Sequence, residues 1–95
     1  MTIPHRPHAY RVPFDLERRP ESSLYRLLNV GGEPLHGITL TLHVAGLMSA
    51  SIPATLLPHE TLEVTVAGRD LARNTILVVR WFRPNDVEYL WRIGF

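Results

Sequence analysis

Five histidines among 95 residues raise the question of a metal site before any other chemistry. His5 and His8 form an H-x-x-H pair, which presents two imidazoles to one ion when it lies on a helix. Here Pro4 and Pro7 deny that segment a helix. His36, His43 and His59 are dispersed, and the chain has no cysteine to supply a thiolate or a disulfide. Solvated imidazoles, with no metal and no cofactor, are the expectation. A covalent enzyme needs a nucleophile beside a base and an orienting acid. Ser22, Ser23, Ser49 and Ser51 have no nucleophile-elbow context, and Gly31-Gly32 is too short to cradle a phosphate. Asp15, Glu17, Glu60, Glu63, Asp70, Asp86 and Glu88 fall on turns or outward strand positions, where carboxylates are solvated. The chain is therefore expected not to be an enzyme.

Two binding chemistries remain. Trp81, Tyr89 and Trp91 could form a stacking platform for a carbohydrate or small ligand. Arg80, Arg83 and Arg92 could form a basic face, but Asp86 and Glu88 lie among them. All ten cationic residues are arginine and they are scattered; the formal charge of +1 gives no long-range steering toward nucleic acid or an acidic membrane. No apolar run reaches the roughly 18–20 residues that span a bilayer, and the first residues have no signal-peptide pattern. A cytoplasmic chain is the expectation.

The elements that would position these residues are strands. A Pro-rich arm over residues 1–8 precedes a single domain over residues 9–95. Tyr10 to Glu17 alternates, with Tyr10, Val12, Phe14 and Leu16 on one face, and Pro13 points to an edge or a bulge. Arg18 to Ser22 reads as a polar turn. Leu24 to Val30 reads as a strand buried on one face and partly covered on the other, or one bulged near Leu27-Leu28, and Asn29 to Pro34 ends it with dense turn chemistry. Ile38 to Val44 has the cleanest alternation, with Ile38, Leu40, Leu42 and Val44 inward, so a one-residue slip would expose all four. A short strand is expected around Ser49–Ile52, interrupted by Pro53, followed by a turn at Pro58-His59-Glu60 and a strand with Leu62, Val64 and Val66 inward. The segment from Gly68 to Asn74 has room for one helical turn. Six or seven short strands at regular spacing predict an all-β chain, best read as an immunoglobulin-like antiparallel β-sandwich.

Thr75 to Ile93 closes the chain as a hairpin and contains both tryptophans. A three-residue loop, Pro84-Asn85-Asp86, pairs Trp81 with Tyr89 and Arg83 with Val87. One face then carries Leu77, Val79, Trp81, Val87, Tyr89, Trp91 and Ile93, which makes the aromatic trio core. The other carries Ile76, Val78, Arg80, Phe82, Glu88, Leu90 and Arg92. An outward face so rich in apolar side chains is unusual for an antiparallel sheet meeting water. Loops or the N-terminal segment could cover it, a homodimer could form through it, or a partner protein or ligand could use it.

The pattern resembles the immunoglobulin-like adhesion modules of the CARDB type found in bacteria and archaea. Tyr25, Leu27, Asn29 and Gly31 carry the resemblance, followed by the alternation over Ile38–Val44, Leu57-Pro58-His59-Glu60 ahead of Thr61–Val66, and Val79-Arg80-Trp81. It implies a seven-stranded sandwich without an active site. His59 stands where the family often has glycine, and the chain lacks the repeats usual for such modules. The expected function is a non-catalytic structural or protein-interaction module working through the outer hairpin face, whose partner is another protein or a second copy.

Overall fold

The computed structural model describes residues 10–19, 24–43, 47–48, 52–67 and 75–94. The arm, the turn around Pro20–Ser22, Val44, Ser49, Ser51 and the Gly68–Asn74 connection lie outside the described residues, as do His5, His8 and Asp70. The described residues form eight strands: β1 (Phe14–Arg19), β2 (Leu24–Asn29), β3 (Leu35–His43), β4 (Leu47–Met48), β5 (Ala54–Leu56), β6 (Thr61–Ala67), β7 (Ile76–Phe82) and β8 (Glu88–Gly94). Among the described residues there is no helix, so none long and apolar enough to cross a membrane.

The strands form two antiparallel four-stranded sheets, ordered β1-β2-β6-β4 and β5-β3-β7-β8. The first sheet follows the A-B-E-D order and β3-β7-β8 the C-F-G order of an immunoglobulin-like sandwich, with β5 added beside β3. The core between them is apolar: Phe14, Tyr25, Leu27, Val64 and Val66 from one sheet, and Leu35, Ile38, Leu40, Leu56, Leu77, Val79, Trp81 and Ile93 from the other. Apart from Leu35 and Ile38 of β3, which are three residues apart, the inward residues of a strand repeat every second position, as a pleated sheet with one face on the core requires.

Several local expectations need correction. The first strand begins at Phe14 rather than Tyr10, and Val12 is exposed. Pro13 has no N–H to donate, but its carbonyl accepts from Val30 N at 2.8 Å, so the chain enters the sheet beside the end of β2. Arg18 and Arg19 belong to β1 rather than to a turn. Of the two readings of β2, the strand buried on one face and half-buried on the other is the one found, without a bulge: its registers with β1 and β6 run without interruption, and its burial alternates residue by residue. The bulge lies instead in β3 at Gly37, where the ladders to β5 and to β7 both shift by one residue. Gly37 has φ 55, and a Cβ there would lie 2.9 Å from the Phe82 ring, so glycine suits the position twice over. This bulge lets β3 continue back to a fully buried Leu35, three residues earlier than the alternation suggests. Ile52 is not in a strand and is 82% exposed, and a short strand, β5, follows Pro53; the rest of the strand expected around Ser49–Ile52 lies outside the described residues.

The hairpin has the expected register, Trp81 opposite Tyr89 and Phe82 opposite Glu88. Arg83 N donates to Val87 O at 3.1 Å and Asp86 N to Arg83 O at 2.8 Å. Asp86, with φ 63, completes a tight turn followed by a left-handed residue, a favoured three-residue hairpin loop. Val87 is exposed rather than core, because it sits at the hairpin tip two rungs beyond the Trp81–Tyr89 pair.

Candidate functional site

The two sheets present different outer faces. On the β1-β2-β6 side the outward positions include Asp15, Glu17, Arg26, Thr61, Glu63 and Thr65, with Leu24 and Leu28 half-buried among them. Arg26 Nε lies 2.9 Å from Glu63 Oε1. Such a face is ordinary for a sheet in water.

The β3-β7-β8 side is built differently. Its registers align four rows of outward residues across three strands: His43–Ile76–Gly94, Thr41–Val78–Arg92, Thr39–Arg80–Leu90 and His36–Phe82–Glu88. All seven hairpin residues expected on the outer face are found there. Ile76 is 39% and Leu90 59% exposed, while Val78 and Phe82 are half-buried. Part of this cover comes from within the face. Phe82 lies over Gly37, and the Arg80 guanidinium sits 5.2 Å from the Phe82 ring centre, a cation–π distance. Arg80 Nη2 is also 3.2 Å from Glu88 Oε2, so this arginine bridges β7 and β8 through a largely exposed pair. A shallow groove of about 240 Å³ runs between His43, Ile76, Val78 and Arg92. The result is an apolar strip bordered by two arginines, a glutamate and two histidines.

The aromatic trio does not form a platform facing solvent. Trp81 is 1% exposed, with Tyr89 stacked at 5.7 Å and Phe14 edge-on at 5.1 Å. Its indole N–H donates to the Tyr10 hydroxyl at 3.3 Å. Tyr89 and Trp91 are half-buried against the core rim. Tyr10 lies ahead of β1 rather than in it, and its ring packs on this cluster with its centre 4.7 Å from that of Tyr89. Burial raises the Tyr10 pKa above its ordinary value, against the lowering effects of its bond from Trp81 and of nearby Arg83. Arg83 covers the cluster, 4.1 Å from the Tyr10 ring centre, with Nε donating to Glu33 Oε1 at 2.6 Å. Glu33, then Tyr89, hold the Arg83 guanidinium still more firmly protonated than usual. The arginine thus closes one end of the sandwich instead of joining Arg80 and Arg92 in a basic face.

Asn29 is the buried polar residue that sequence patterning leaves as a turn signal. Its side-chain nitrogen donates to the carbonyls of Glu33 and Leu56, both at 3.0 Å, and its Oδ1 accepts from Gly31 N at 3.0 Å. Its backbone accepts from His59 N and donates to Glu60 O. The β2–β3 loop, the end of β5 and the turn before β6 are tied at this one residue, and the Asn-x-Gly spacing is the signal for one of those bonds. Its role is structural: every polar atom it has is engaged within the chain.

Among the described residues no three His, Asp or Glu side chains converge as a metal site. His36, His43 and His59 are exposed and lie apart, on two rows of the outer face and in the turn before β6. A further groove, about 420 Å³, lies beside Tyr10, Val12, Pro13 and Gly31, but its Glu33 is already engaged by Arg83. No family model, curated protein or solved structure matches the chain.

Proposed function

We propose that the chain is a non-catalytic protein-interaction module whose working surface is the outer face of the β3-β7-β8 sheet. The observation carrying this reading is the contrast between the two outer faces of one sandwich. One is charged and polar; the other sets Ile76 and Leu90 in the open beside Arg80, Glu88 and Arg92. An apolar strip with an arginine border is the composition that protein interfaces favour over ordinary surface. The absence of an active site in the CARDB-type modules that the sequence resembles agrees with this role. The carbohydrate alternative retains only the half-buried Tyr89 and Trp91, since Trp81 offers no ring face.

The partner is a protein, a second copy included. Binding of such a partner should fall at least tenfold with Ile76→Arg, a loss typical of introducing a charge into an interface core. Glu63→Arg on the opposite face should leave binding unchanged, and both variants should melt near the wild type. Equal binding by both variants would sink the assignment of the face, and turnover that depends on one of the carboxylates would sink the non-catalytic reading.

A further inference from the structure

Strand β8 ends its sheet, and its sequence is chemically symmetric about Leu90: Val87-Glu88-Tyr89-Leu90-Trp91-Arg92-Ile93. Reading outward from Leu90 gives an aromatic on each side, then an acid on one side and a base on the other, then a β-branched residue on each. We infer that two copies of the chain pair antiparallel along β8, with Leu90 on the twofold axis. This rests on reading the chain as an interaction module, but it uses the edge of the sheet rather than its face.

The backbone is disposed for it. The bond from Arg83 N to Val87 O makes those two residues a hydrogen-bonded pair. Antiparallel ladders alternate, so Trp81–Tyr89, Val79–Trp91 and Leu77–Ile93 are bonded pairs too. Glu88, Leu90 and Arg92 therefore turn their N–H and C=O groups away from β7, toward the open edge. In the inferred register these are the groups that meet: Leu90 with its own copy, and Glu88 with the partner's Arg92 on either side. The three pairs would exchange on the order of six backbone hydrogen bonds. The alternate positions set Tyr89 against the partner's Trp91 and Val87 against the partner's Ile93, at the closer spacing of non-bonded pairs. Tyr89 and Trp91 are the half-buried aromatics at the core rim, and Val87 is exposed, so each has surface left to bury.

Register and choice of edge are both specified. Sliding the copy by two residues puts Glu88 opposite Leu90 or opposite Gly94, which removes the charge match. One of those slips sets Arg92 against Asp86, whose φ of 63 takes it out of strand geometry. The other edges carry features that discourage pairing: β4 has two residues, β5 has three directly after Pro53, and β1 lies between Pro13 and Pro20. Strand β8 has seven residues and no proline. Its Glu88 and Arg92 face their opposite charges in the inferred register. At its far end the Gly94 carbonyl already accepts from Arg18 Nη2 at 3.2 Å, outside the Glu88–Arg92 stretch.

Sedimentation of the full chain over a concentration series tests the inference, using charge-reversal variants. Glu88→Arg alone and Arg92→Glu alone each turn two attractive cross-strand pairs repulsive and should raise the dimer Kd about ten- to a hundredfold. The double variant Glu88→Arg/Arg92→Glu should recover dimerisation. It does not restore the internal Arg80–Glu88 pair, so recovery reports the contact between copies. Glu63→Arg, on the opposite sheet, should dimerise as the wild type does. A wild type that is monomeric at the highest attainable concentration overturns the inference, as do single variants that stay dimeric or a double variant that stays monomeric. A dimer lost with Ile76→Arg but kept with Glu88→Arg also overturns it, in favour of face-to-face association; that outcome leaves the outer face as the interaction surface.

Discussion

Removing the Asn29 side chain tests the energetics of the fold most directly. Asn29→Ala deletes three hydrogen bonds, to the Glu33 and Leu56 carbonyls and from the Gly31 N–H. At about 1 kcal/mol net for each, the loss is about 3 kcal/mol, more if the buried Leu56 carbonyl finds no water. A chain of this size has roughly 5–14 kcal/mol of stability, so the variant should still fold. With a urea m-value near 1.5 kcal/mol/M, the unfolding midpoint should drop by roughly 2 M at unchanged slope. Asn29→Asp should differ in a diagnostic way. At neutral pH its carboxylate faces two carbonyl oxygens and keeps only the Gly31 donor, so its folded pKa must lie above the unfolded value of about 3.9. The folded state then binds more protons than the unfolded state, and stability falls as pH rises through that window. Asn29→Asp should therefore regain stability on acidification relative to Asn29→Ala. If Asn29→Ala costs less than about 1 kcal/mol, or Asn29→Asp shows no pH dependence of its own, the hub reading is wrong.

Two further outcomes follow from individual backbone and side-chain environments. His59 has φ 71 in the turn whose Glu60 N donates to Leu57 O, so His59→Gly should stabilise the chain by about 0.5–1 kcal/mol in thermal or urea unfolding. A loss of stability would mean that the imidazole makes a contribution its exposed position does not suggest. Burial raises the Tyr10 pKa, so between the unfolded value near 10 and the higher folded value the native state holds the extra proton. Stability is then complete below pH 10 and declines above it, and tyrosinate absorbance should contain a late-titrating component that Tyr10→Phe lacks.

The sequence makes the sandwich and its hairpin legible because alternation carries strong information where one face is buried. Strand β6 and most of β3 follow their pattern, and the hairpin register follows from choosing the loop that gives one clean interior. Failures occur where a backbone event breaks the period. Gly37 shifts two ladders at once, and periodicity cannot anticipate that Leu35 returns to the core three residues before Ile38. Pro13 delays β1 and leaves Val12 outside. Asn29 is a third case: a polar residue among turn signals reads as surface, and its burial becomes intelligible only when the loops it joins are in place. Alternation puts Tyr10 on one face with Phe14 and Leu16, but its contact with Trp81 depends on a neighbour 71 residues away. The outer hairpin face was legible in full, since it needs only the turn length and a period of two.

The bulge at Gly37 also solves an alignment problem that hydrophobic pattern leaves open. A slip of one residue between β3 and β7 would turn the core residues outward and is forbidden by burial. A slip of two would keep Ile38, Leu40 and Leu42 facing inward, and along alternating strands such as these it would encounter little resistance from pattern alone. Gly37 indexes the strand because it is the place that leaves room for the Phe82 ring, and the same irregularity sets the ladder to β5. A single missing Cβ thus acts as a keyway, locking three strands into one alignment out of several that would otherwise look equally good.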